Sequence, residues 1–167
     1  MTIETANIVD QQISQKEDED QYLTFMLGEE LYGVDILRVQ EIKGYSKLTR
    51  IPNTPAFIKG VLNLRGAIVP IIDLRIKFTM EQVEYTMFTV IVVVVVRDRI
   101  MGMVVDTVSD VLFISGKDIQ PPPALGRKVD VSFISGIARS GENLVTLLDI
   151  DRVLTDEEME QVATAQE

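Results

Sequence analysis

The stretch "FIKGVLNLRGAIVPIIDLRIKF", residues 57–78, has a second copy in the same chain. It aligns without gaps on "FISGIARSGENLVTLLDIDRVL", residues 133–154, and several of the non-identical pairs are apolar on both sides. "LYGVDILRVQEI" (31–42) aligns in the same order on "IMGMVVDTVSDV" (100–111). Two matches in one order indicate an internal duplication. Chance resemblance among Val- and Ile-rich strands is the alternative, because short apolar runs are ambiguous.

Each copy is predicted to be rich in β-structure. In the first copy "YLTFML" and "LYGVDI" flank the turn "GEE", and "FIKGVLN" and "AIVPIID" form a second hairpin. Gly60 and Gly136 lie inside strand patterns, where glycine often marks a bulge or a barrel corner. We predict an all-β fold of two small antiparallel barrels related by an approximate two-fold axis, whose closure removes free edges. The strands expected in the second copy are 89–96, 99–105, 133–139 and 143–149.

Neither cysteine nor histidine occurs among the 167 residues. This excludes disulfides, thiolate zinc sites, Ser-His-Asp triads and histidine metal ligands. Any catalysis would depend on Asp, Glu, Lys, Tyr or backbone groups. We therefore expect a binding protein that is not an enzyme and that has neither cofactor nor metal. A chain of this length can form one domain, or two small lobes around one core, without such aids.

The net charge of −10 lies in the two ends of the chain. Residues 1–20 and residues 155–167 each contribute −5, so residues 21–154 are neutral overall. We expect a disordered acidic tail over 1–20 and an acidic helix over 155–167, because Thr155 and Glu158 have the spacing of a capping box.

Several classes of partner are disfavoured. No basic stripe with interleaved aromatic residues occurs, which argues against nucleic acid. The apolar run "VIVVVVV" (90–96) is much shorter than the roughly 20 residues that span a bilayer, so we predict a buried strand and no membrane insertion. No secretory signal is visible, which favours the cytoplasm. A small barrel that binds RNA or oligosaccharide is an alternative, but it needs an exposed aromatic platform, and the chain holds six Phe, four Tyr and no Trp.

Asp73 and Asp149 occupy matching positions in the two copies. Two lobes that each donate one aspartate would suit an aspartic-protease dyad, and "VVDTVSD" (104–110) resembles the Asp-Thr-Gly loop of those enzymes. However, Val108 stands where the glycine should be. Each aspartate also ends a predicted strand and precedes a short segment that could be helical. We therefore favour helix capping over catalysis.

Arg65 lies at the tip of an otherwise apolar predicted hairpin. A solvated arginine on a turn is ordinary. Yet residues 36–65 carry six basic residues against the single acid Glu41, so one side of this lobe is basic. Arginine at the rim of an apolar patch is typical of protein interfaces, where its planar group can bind a carboxylate through two hydrogen bonds.

The segment "VDILRVQEI" (34–42) repeats an apolar residue at every third position, namely Ile36, Val39 and Ile42. On a helical turn these would form one stripe. The stripe could pack on its own barrel, or part of it could line the seam between the lobes and receive a partner helix. Glu41 beside it could fix the register of that partner.

"LYGVDILRVQEI", "RIPNTPAFIKGVLNLRGAIVPIIDLR" and "VVDTVSDVL" closely resemble the CheW-like domain family of bacterial chemotaxis coupling proteins. The resemblance covers roughly residues 21–154. It implies two fused five-stranded antiparallel barrels of the Src-homology type, with lobe one at about 21–86 and lobe two at about 87–154. The N- and C-terminal segments could cross between these lobes, and short helices and a C-terminal helix complete the expected fold.

The resemblance also implies a non-enzymatic scaffold. It would couple the cytoplasmic hairpin tips of methyl-accepting chemoreceptors to the regulatory domain of the histidine kinase CheA. The protein would be a monomer when free, and cytoplasmic, joining receptor arrays at the inner membrane face. Receptor tips would lie in an apolar groove between the lobes, and the kinase would contact lobe ends. The positions that match the family's partner-binding pattern are Val39, Glu41, Ile42, Gly60, Arg65, Gly66, Val90 and Val108.

Overall fold

The computed structural model describes residues 19–123 and 131–166, and in these the chain forms eleven strands in two sheets. The all-β prediction is therefore confirmed. The strands of the first repeat are β1 (Glu19–Leu27), β2 (Glu30–Asp35), β3 (Val39–Gly44), β4 (Ile58–Leu64) and β5 (Ala67–Asp73). Those of the second are β6 (Val90–Val96), β7 (Arg99–Val105), β8 (Thr107–Ser115), β9 (Ile119–Gln120), β10 (Ile134–Ser140) and β11 (Asn143–Leu148). The helices are α1 (Leu74–Lys77) and α2 (Asp156–Gln166), with 3-10 turns at Ile36–Arg38, Gly116–Asp118 and Ile150–Arg152.

Each sheet takes strands from both repeats. The first sheet has the order β8-β1-β2-β11-β10-β9, and the second has the order β3-β6-β7-β5-β4. The hairpin β1–β2 thus joins strands of the second repeat, and the hairpin β6–β7 joins strands of the first. The lobe boundaries 21–86 and 87–154 remain a prediction, but neither sheet coincides with one of these ranges.

The repeats meet in one parallel strand pair within each sheet, which the prediction of antiparallel barrels did not include. In the first sheet Gly33 of β2 lies opposite Leu147 of β11. In the second sheet Gly102 of β7 lies opposite Ile71 of β5. A Cβ on Gly102 would lie 2.5 Å from the Ile71 side chain, and one on Gly33 would lie 2.9 Å from that of Leu147. Glycine therefore gives room to the facing side chain at the same place in both junctions, which supports the duplication.

Both sheets curl so that their end strands approach each other. In the first sheet the end strands β8 and β9 are joined only by the turn Gly116–Asp118. In the second sheet the chain that follows β3 returns to β4, where Thr49 pairs with Val61 through two backbone hydrogen bonds of 3.0 and 2.8 Å. This geometry is compatible with the predicted barrels.

The apolar core has three parts, and the valine strand β6 connects two of them. Ile91 and Val93 face a cluster that belongs to the second sheet alone. Val92, Val94 and Val96 face a larger cluster, the shared core, which also takes Leu23, Phe25 and Leu27 from β1. A third cluster fills the first sheet around Val145 and Leu147. Because a strand alternates its side chains, a β6 buried on both faces has to be apolar throughout.

The C-terminal helix is held by the predicted capping box. The Thr155 N–H donates to Glu158 Oε1 (2.8 Å), and the Glu158 N–H donates to Thr155 Oγ1 (3.1 Å). Lys77 Nζ also donates to Glu158 Oε2 at 2.8 Å, which ties the helix to α1. Met159 and Val162 are buried in the shared core. The disorder predicted for the N-terminal tail lies outside the described residues up to residue 18, while Glu19 and Asp20 begin β1.

Replacing Glu158 by Gln is expected to reduce the loss of stability in acid. Burial raises the pKa of Glu158, but hydrogen bonds from Lys77 and Thr155 lower it further, so the folded pKa lies below the ordinary value of 4.5. The ionised Glu158 carboxylate therefore stabilises the fold above about pH 4.5, and this stabilisation disappears as the pH falls through the folded pKa. Thermal unfolding followed by circular dichroism between about pH 6 and pH 3 measures the effect.

The exposed neighbour Glu157, replaced by Gln, is the matched control and should retain the acid sensitivity of the wild type. Identical pH profiles for the wild type and Glu158→Gln would contradict the assignment.

Candidate functional site

The tip of the β4–β5 hairpin is a rigid two-residue turn. Arg65 and Gly66 both have positive φ, at 51° and 89°, which is the pattern of a type I′ turn. The side chain of Asn63 accepts the Gly66 N–H at 2.9 Å and closes the turn. A Cβ on Gly66 would meet no atom within 4 Å, so glycine serves there through its backbone freedom. Arg65 occupies a conformation that costs about 1 kcal/mol for a side-chain-bearing residue.

Arg65 forms an ion pair that joins the two end strands of the second sheet. Its guanidinium Nη1 lies 3.2 Å from Oε2 of Glu41, on β3. The arginine side chain is 76% exposed, whereas that of Glu41 is only 28% exposed. The carboxylate is therefore set into the sheet surface, and the guanidinium lies over it with most of its area open to solvent.

Val39 and Ile42 lie on a strand, so the helical stripe predicted for Ile36, Val39 and Ile42 is wrong. Ile36 begins a 3-10 turn, and residues from Val39 onward pair with β6, with Ile42 opposite Val92. The β-branched residues of this segment satisfy a sheet as well as a helix, and the neighbouring strand decides between them. Val39 is half-buried against the shared core, and Ile42 is 45% exposed.

Gly60 is buried and shapes β4. Its φ is +149°, and a bulge separates it from Ile58 in the pairing with β5. A Cβ here would lie 2.4 Å from the carbonyl oxygen of Thr49, where the chain after β3 crosses the strand. The matching Gly136 is crowded in the same way, since its Cβ would lie 2.4 Å from the side chain of Ile119. Gly60 therefore acts on any partner surface through the fold.

Val90 and Val108 lie at the margin of the shared core. Val90 begins β6 opposite Gly44, and Val108 lies on β8 opposite Phe25, which places it in the first sheet. Both are half-buried against the shared core, as Val39 is. The eight predicted residues are thus divided: five lie on strands of the second sheet, Arg65 and Gly66 form the tip of its β4–β5 hairpin, and Val108 lies in the first sheet. The shared core lies between the sheets, and these three valines lie at its edge.

Exposed aliphatic side chains occur in both sheets outside the predicted residues. Ile68 on β5, close to Arg65 in the chain, is 46% exposed, and its repeat partner Leu144 is 60% exposed. Val111, the repeat partner of Ile42, is 37% exposed. The alignment of the two copies pairs these residues, but it does not reveal their exposure, because the flanking positions are apolar as well.

The two aspartates cap short helical turns, as predicted. Asp73 Oδ1 accepts the N–H groups of Arg75 (2.8 Å) and Ile76 (3.3 Å), and its Oδ2 accepts the hydroxyl of Tyr85. Asp149 Oδ1 accepts the Asp151 N–H at 3.1 Å. Burial, together with the bond to Asp73, raises the pKa of Tyr85. Each carboxylate is engaged by its own turn, so the geometry does not support a catalytic dyad.

Other site types find no support in the part of the chain that the structure describes. Phe25, Tyr32, Phe78 and Phe133 stack in a row with neighbouring ring centroids 4.7–6.0 Å apart, but this row packs on the shared core. Among the described residues the exposed aromatic side chains are Phe88 (66%), just before β6, and Phe113 (44%), on β8. No group of three His, Cys, Asp or Glu residues there could hold a metal ion. None of the described helices is long and apolar enough to cross a membrane.

Comparison with known proteins gives consistent matches. The sequence model of the CheW-like domain matches residues 21–158. The chain is 50% identical over 139 residues to the chemotaxis protein CheW of Klebsiella aerogenes, which covers 83% of this chain and 84% of that protein. It is 38% identical over 138 residues to that of Rhizobium meliloti, covering 83% and 89%. The crystal structure of the scaffolding protein TtCheW from Thermoanaerobacter tengcongensis superposes with a TM-score of 0.77 at 33% identity, covering 84% of this chain and 95% of that one.

Replacing Gly60 by Ala should destabilise the fold by about 2 kcal/mol or more, because the new methyl group collides with backbone at a strained φ. Gly44→Ala is the matched control, since a Cβ there would meet no atom within 4 Å, and it should change stability by no more than about 0.5 kcal/mol. Urea unfolding of both variants measures the difference. Equal stabilities would show that the chain after β3 does not press on Gly60.

A double-mutant cycle should give the Glu41–Arg65 pair a coupling of about 0.2–1 kcal/mol, because the guanidinium is largely exposed and screened. Glu41→Gln, Arg65→Gln and the double variant are compared by urea unfolding at low and high salt. The coupling should decrease in high salt. A coupling that is absent at low salt would mean that the two side chains do not pair in solution.

Proposed function

The chain belongs to the CheW-like domain family, and we propose that it is a non-enzymatic chemotaxis scaffold that couples receptors to a kinase. Its partners would be the cytoplasmic hairpin tips of methyl-accepting chemoreceptors and the regulatory domain of the histidine kinase CheA. The observation that carries this proposal is the family match over residues 21–158, which includes all eight candidate site residues. The free protein would be a cytoplasmic monomer, recruited to receptor arrays at the inner membrane face without inserting into the bilayer.

The asymmetry of the two sheets supports two different partners. The acid on β3, Glu41, has a counterpart in Asp110 on β8, but the arginine at the hairpin tip does not. At the position of Arg65 the second repeat has Gly141, which adopts a similar positive φ of 62°. Glu142, at the position of Gly66, does not share its positive φ, so the two turns differ in backbone as well as in charge. Two surfaces that differ in charge suit a scaffold with two different partners.

Arg65 is the residue we assign to direct partner contact. The described residues give it one ion pair, through Nη1, and a guanidinium has five N–H donors in a planar arrangement. The remaining donors can bind an acidic side chain of a partner while Glu41 holds the group in place. Ile68, which is 46% exposed, follows Arg65 closely in the chain, and Ile42, which is 45% exposed, follows Glu41 on β3. Arginine is enriched at the centres of protein interfaces.

Val39, Val90 and Val108 would support this surface from beneath. They are half-buried against the shared core, so a change in their volume alters how the two sheets pack. Gly60 and Gly66 would act in the same indirect way, by fixing the shape of β4 and of the hairpin tip. We infer that Arg65 and Ile42 make the direct side-chain contacts with a partner, while Glu41 positions Arg65 from beneath.

The mechanism would be geometric. A body with two sheets that share one core holds the receptor hairpin and the kinase domain in a fixed relation. A shift in the receptor would then change which kinase arrangement binds best, and so shift the kinase population. Two binding surfaces on one small body also strengthen weak contacts, because the second contact forms at high effective concentration.

Arg65→Ala should weaken complex formation while leaving the fold intact. If Arg65 lies in a desolvated interface centre, the variant loses about 2 kcal/mol or more of binding free energy, which corresponds to a roughly thirtyfold lower affinity. Affinity for a kinase regulatory domain and for a receptor cytoplasmic fragment is measured separately and then with both present. Arg139→Ala, an exposed arginine on the matching hairpin of the second repeat, is the control and should change affinity less than about twofold.

Unchanged binding of Arg65→Ala to both partners would remove Arg65 from the interface. Equal losses in the two variants would indicate a general effect of charge. No binding of the unmodified chain to either partner would overturn the coupling function itself.

A further inference from the structure

Two ion pairs occupy equivalent places in the two sheets. In the second sheet Arg75, just after β5, binds Asp106, just after β7, with Nε 2.8 Å from Oδ1. In the first sheet Arg38, in the turn after β2, binds Asp151, just after β11, through bonds of 2.9 and 2.6 Å. Parallel strands end at the same edge of a sheet, so each pair joins the carboxyl ends of one parallel strand pair. Both arginines use two nitrogens on two oxygens, which is the strong geometry for this contact.

Both ion pairs include one further hydrogen bond, which a backbone N–H donates to the aspartate. Asp106 accepts the N–H of Gly28 at 2.7 Å, and Asp151 accepts that of Arg97 at 3.3 Å. Gly28 and Arg97 are equivalent residues of the two hairpin turns. Hydrogen bonding to Arg38 lowers the pKa of Asp151. For Asp106, burial raises the pKa but the bonds from Arg75 and Gly28 lower it further. Both carboxylates are therefore ionised and engaged near neutral pH.

The two ion pairs have opposite orientations. In the first sheet the arginine follows the hairpin strand β2, and in the second sheet the aspartate follows the hairpin strand β7. The first repeat supplies both arginines, Arg38 and Arg75, and the second repeat supplies both aspartates, Asp106 and Asp151. Arg75 and Asp151 align with each other in the two copies, and Arg38 and Asp106 lie within one position of alignment. The two copies thus have an ion pair at equivalent positions, but all its positive residues lie in the first repeat and all its negative residues lie in the second.

Apolar packing does not discriminate between two ways of pairing the repeats. In the observed fold Gly33 faces Leu147 and Gly102 faces Ile71. If each hairpin paired instead with its own repeat, Gly33 would face Ile71 and Gly102 would face Leu147. Glycine would face a large aliphatic residue in both arrangements, so burial and strand contact would be nearly the same.

The charges do discriminate. In the alternative arrangement β2 would lie beside β5, which brings Arg38 to Arg75, and β7 would lie beside β11, which brings Asp106 to Asp151. Like charges in contact are strongly unfavourable where solvent is partly excluded. The Arg75 and Asp106 side chains are only 13% and 24% exposed, so salt and water screen them weakly.

We propose that these four residues decide which hairpin pairs with which repeat. They permit the hairpin of one repeat to join only the body of the other, and they exclude the arrangement in which each repeat folds on itself. The exchanged arrangement creates the shared core and brings Val39 of β3 and Val108 of β8 to it. The four residues therefore specify the interlocked body on which the candidate site lies.

Exchanging the charges of one pair at a time tests this. In the variant Arg75→Asp with Asp106→Arg, both native contacts keep opposite charges. The alternative arrangement now also gains opposite charges in both of its contacts. The variant Arg38→Asp with Asp151→Arg has the same property. Exchanging all four residues restores like charges in the alternative arrangement, so that variant should regain the discrimination of the wild type.

The full chains are refolded from denaturant, and cross-strand nuclear Overhauser effects are recorded. Contacts between β1 and β8 report the observed fold, and contacts between β1 and β3 report the alternative, because β3 is the repeat equivalent of β8. Each two-residue variant should increase the fraction of chains with β1–β3 contacts about tenfold or more over the wild type. The four-residue variant should return to the wild-type fraction.

The four-residue variant also controls for local damage, since it contains the substitutions of both smaller variants. If it folds natively while the two-residue variants misassemble or fail to fold, the proposal holds. If all three variants fail, the damage is local and the proposal is overturned. Two-residue variants that refold as uniformly as the wild type overturn it as well.

Discussion

The structure depends on two parallel strand contacts, β2 against β11 and β5 against β7, where the repeats cross into each other. Parallel pairing of this kind needs a backbone free of side chain on one strand, because the facing aliphatic residue occupies the space that a Cβ would need. Gly33 and Gly102 provide that space. This space lets the hairpin of one repeat lie against the body of the other and supply the strands that complete its sheet.

The crossing has a consequence for the core. Because β1 and β6 each pack one face on the shared cluster, neither sheet can move without disturbing the other. A body of this kind is suited to holding two partners, since little of the binding free energy is spent on ordering the scaffold itself. The acidic C-terminal helix strengthens the same cluster, with Met159 and Val162 inserted into it and Lys77 holding its first turn.

The two repeats have remained alike where packing demands it and have diverged where solvent or a partner is faced. Glycines, capping aspartates and facing aliphatic residues occur in both copies. The arginine on the hairpin tip occurs in one, and the ion pairs at the strand ends carry opposite polarity. A buried position in a sheet tolerates few residue types, whereas a surface position tolerates many. The hairpin arginine therefore indicates recognition, whereas the shared residues and the ion pairs at the strand ends serve the fold.

The sequence by itself determined the duplication, the hairpins, the aspartate caps and the capping box of the last helix. These follow from local rules, since periodicity, turn residues and caps act within a few positions of each other. The hairpin turn at Arg65 and Gly66 belongs to the same class.

Only the tertiary structure decided which hairpin joins which repeat, that Val39–Gly44 is a strand, that Gly60 is buried, and that Arg65 reaches Glu41. Each of these depends on contacts between residues far apart in the chain. The physical reason is that both ways of joining the repeats would bury nearly the same apolar side chains, so the hydrophobic pattern could not choose between them. The segment 36–42 has the same ambiguity on a smaller scale, because its apolar spacing suits a helical turn as well as a strand until β6 lies beside it.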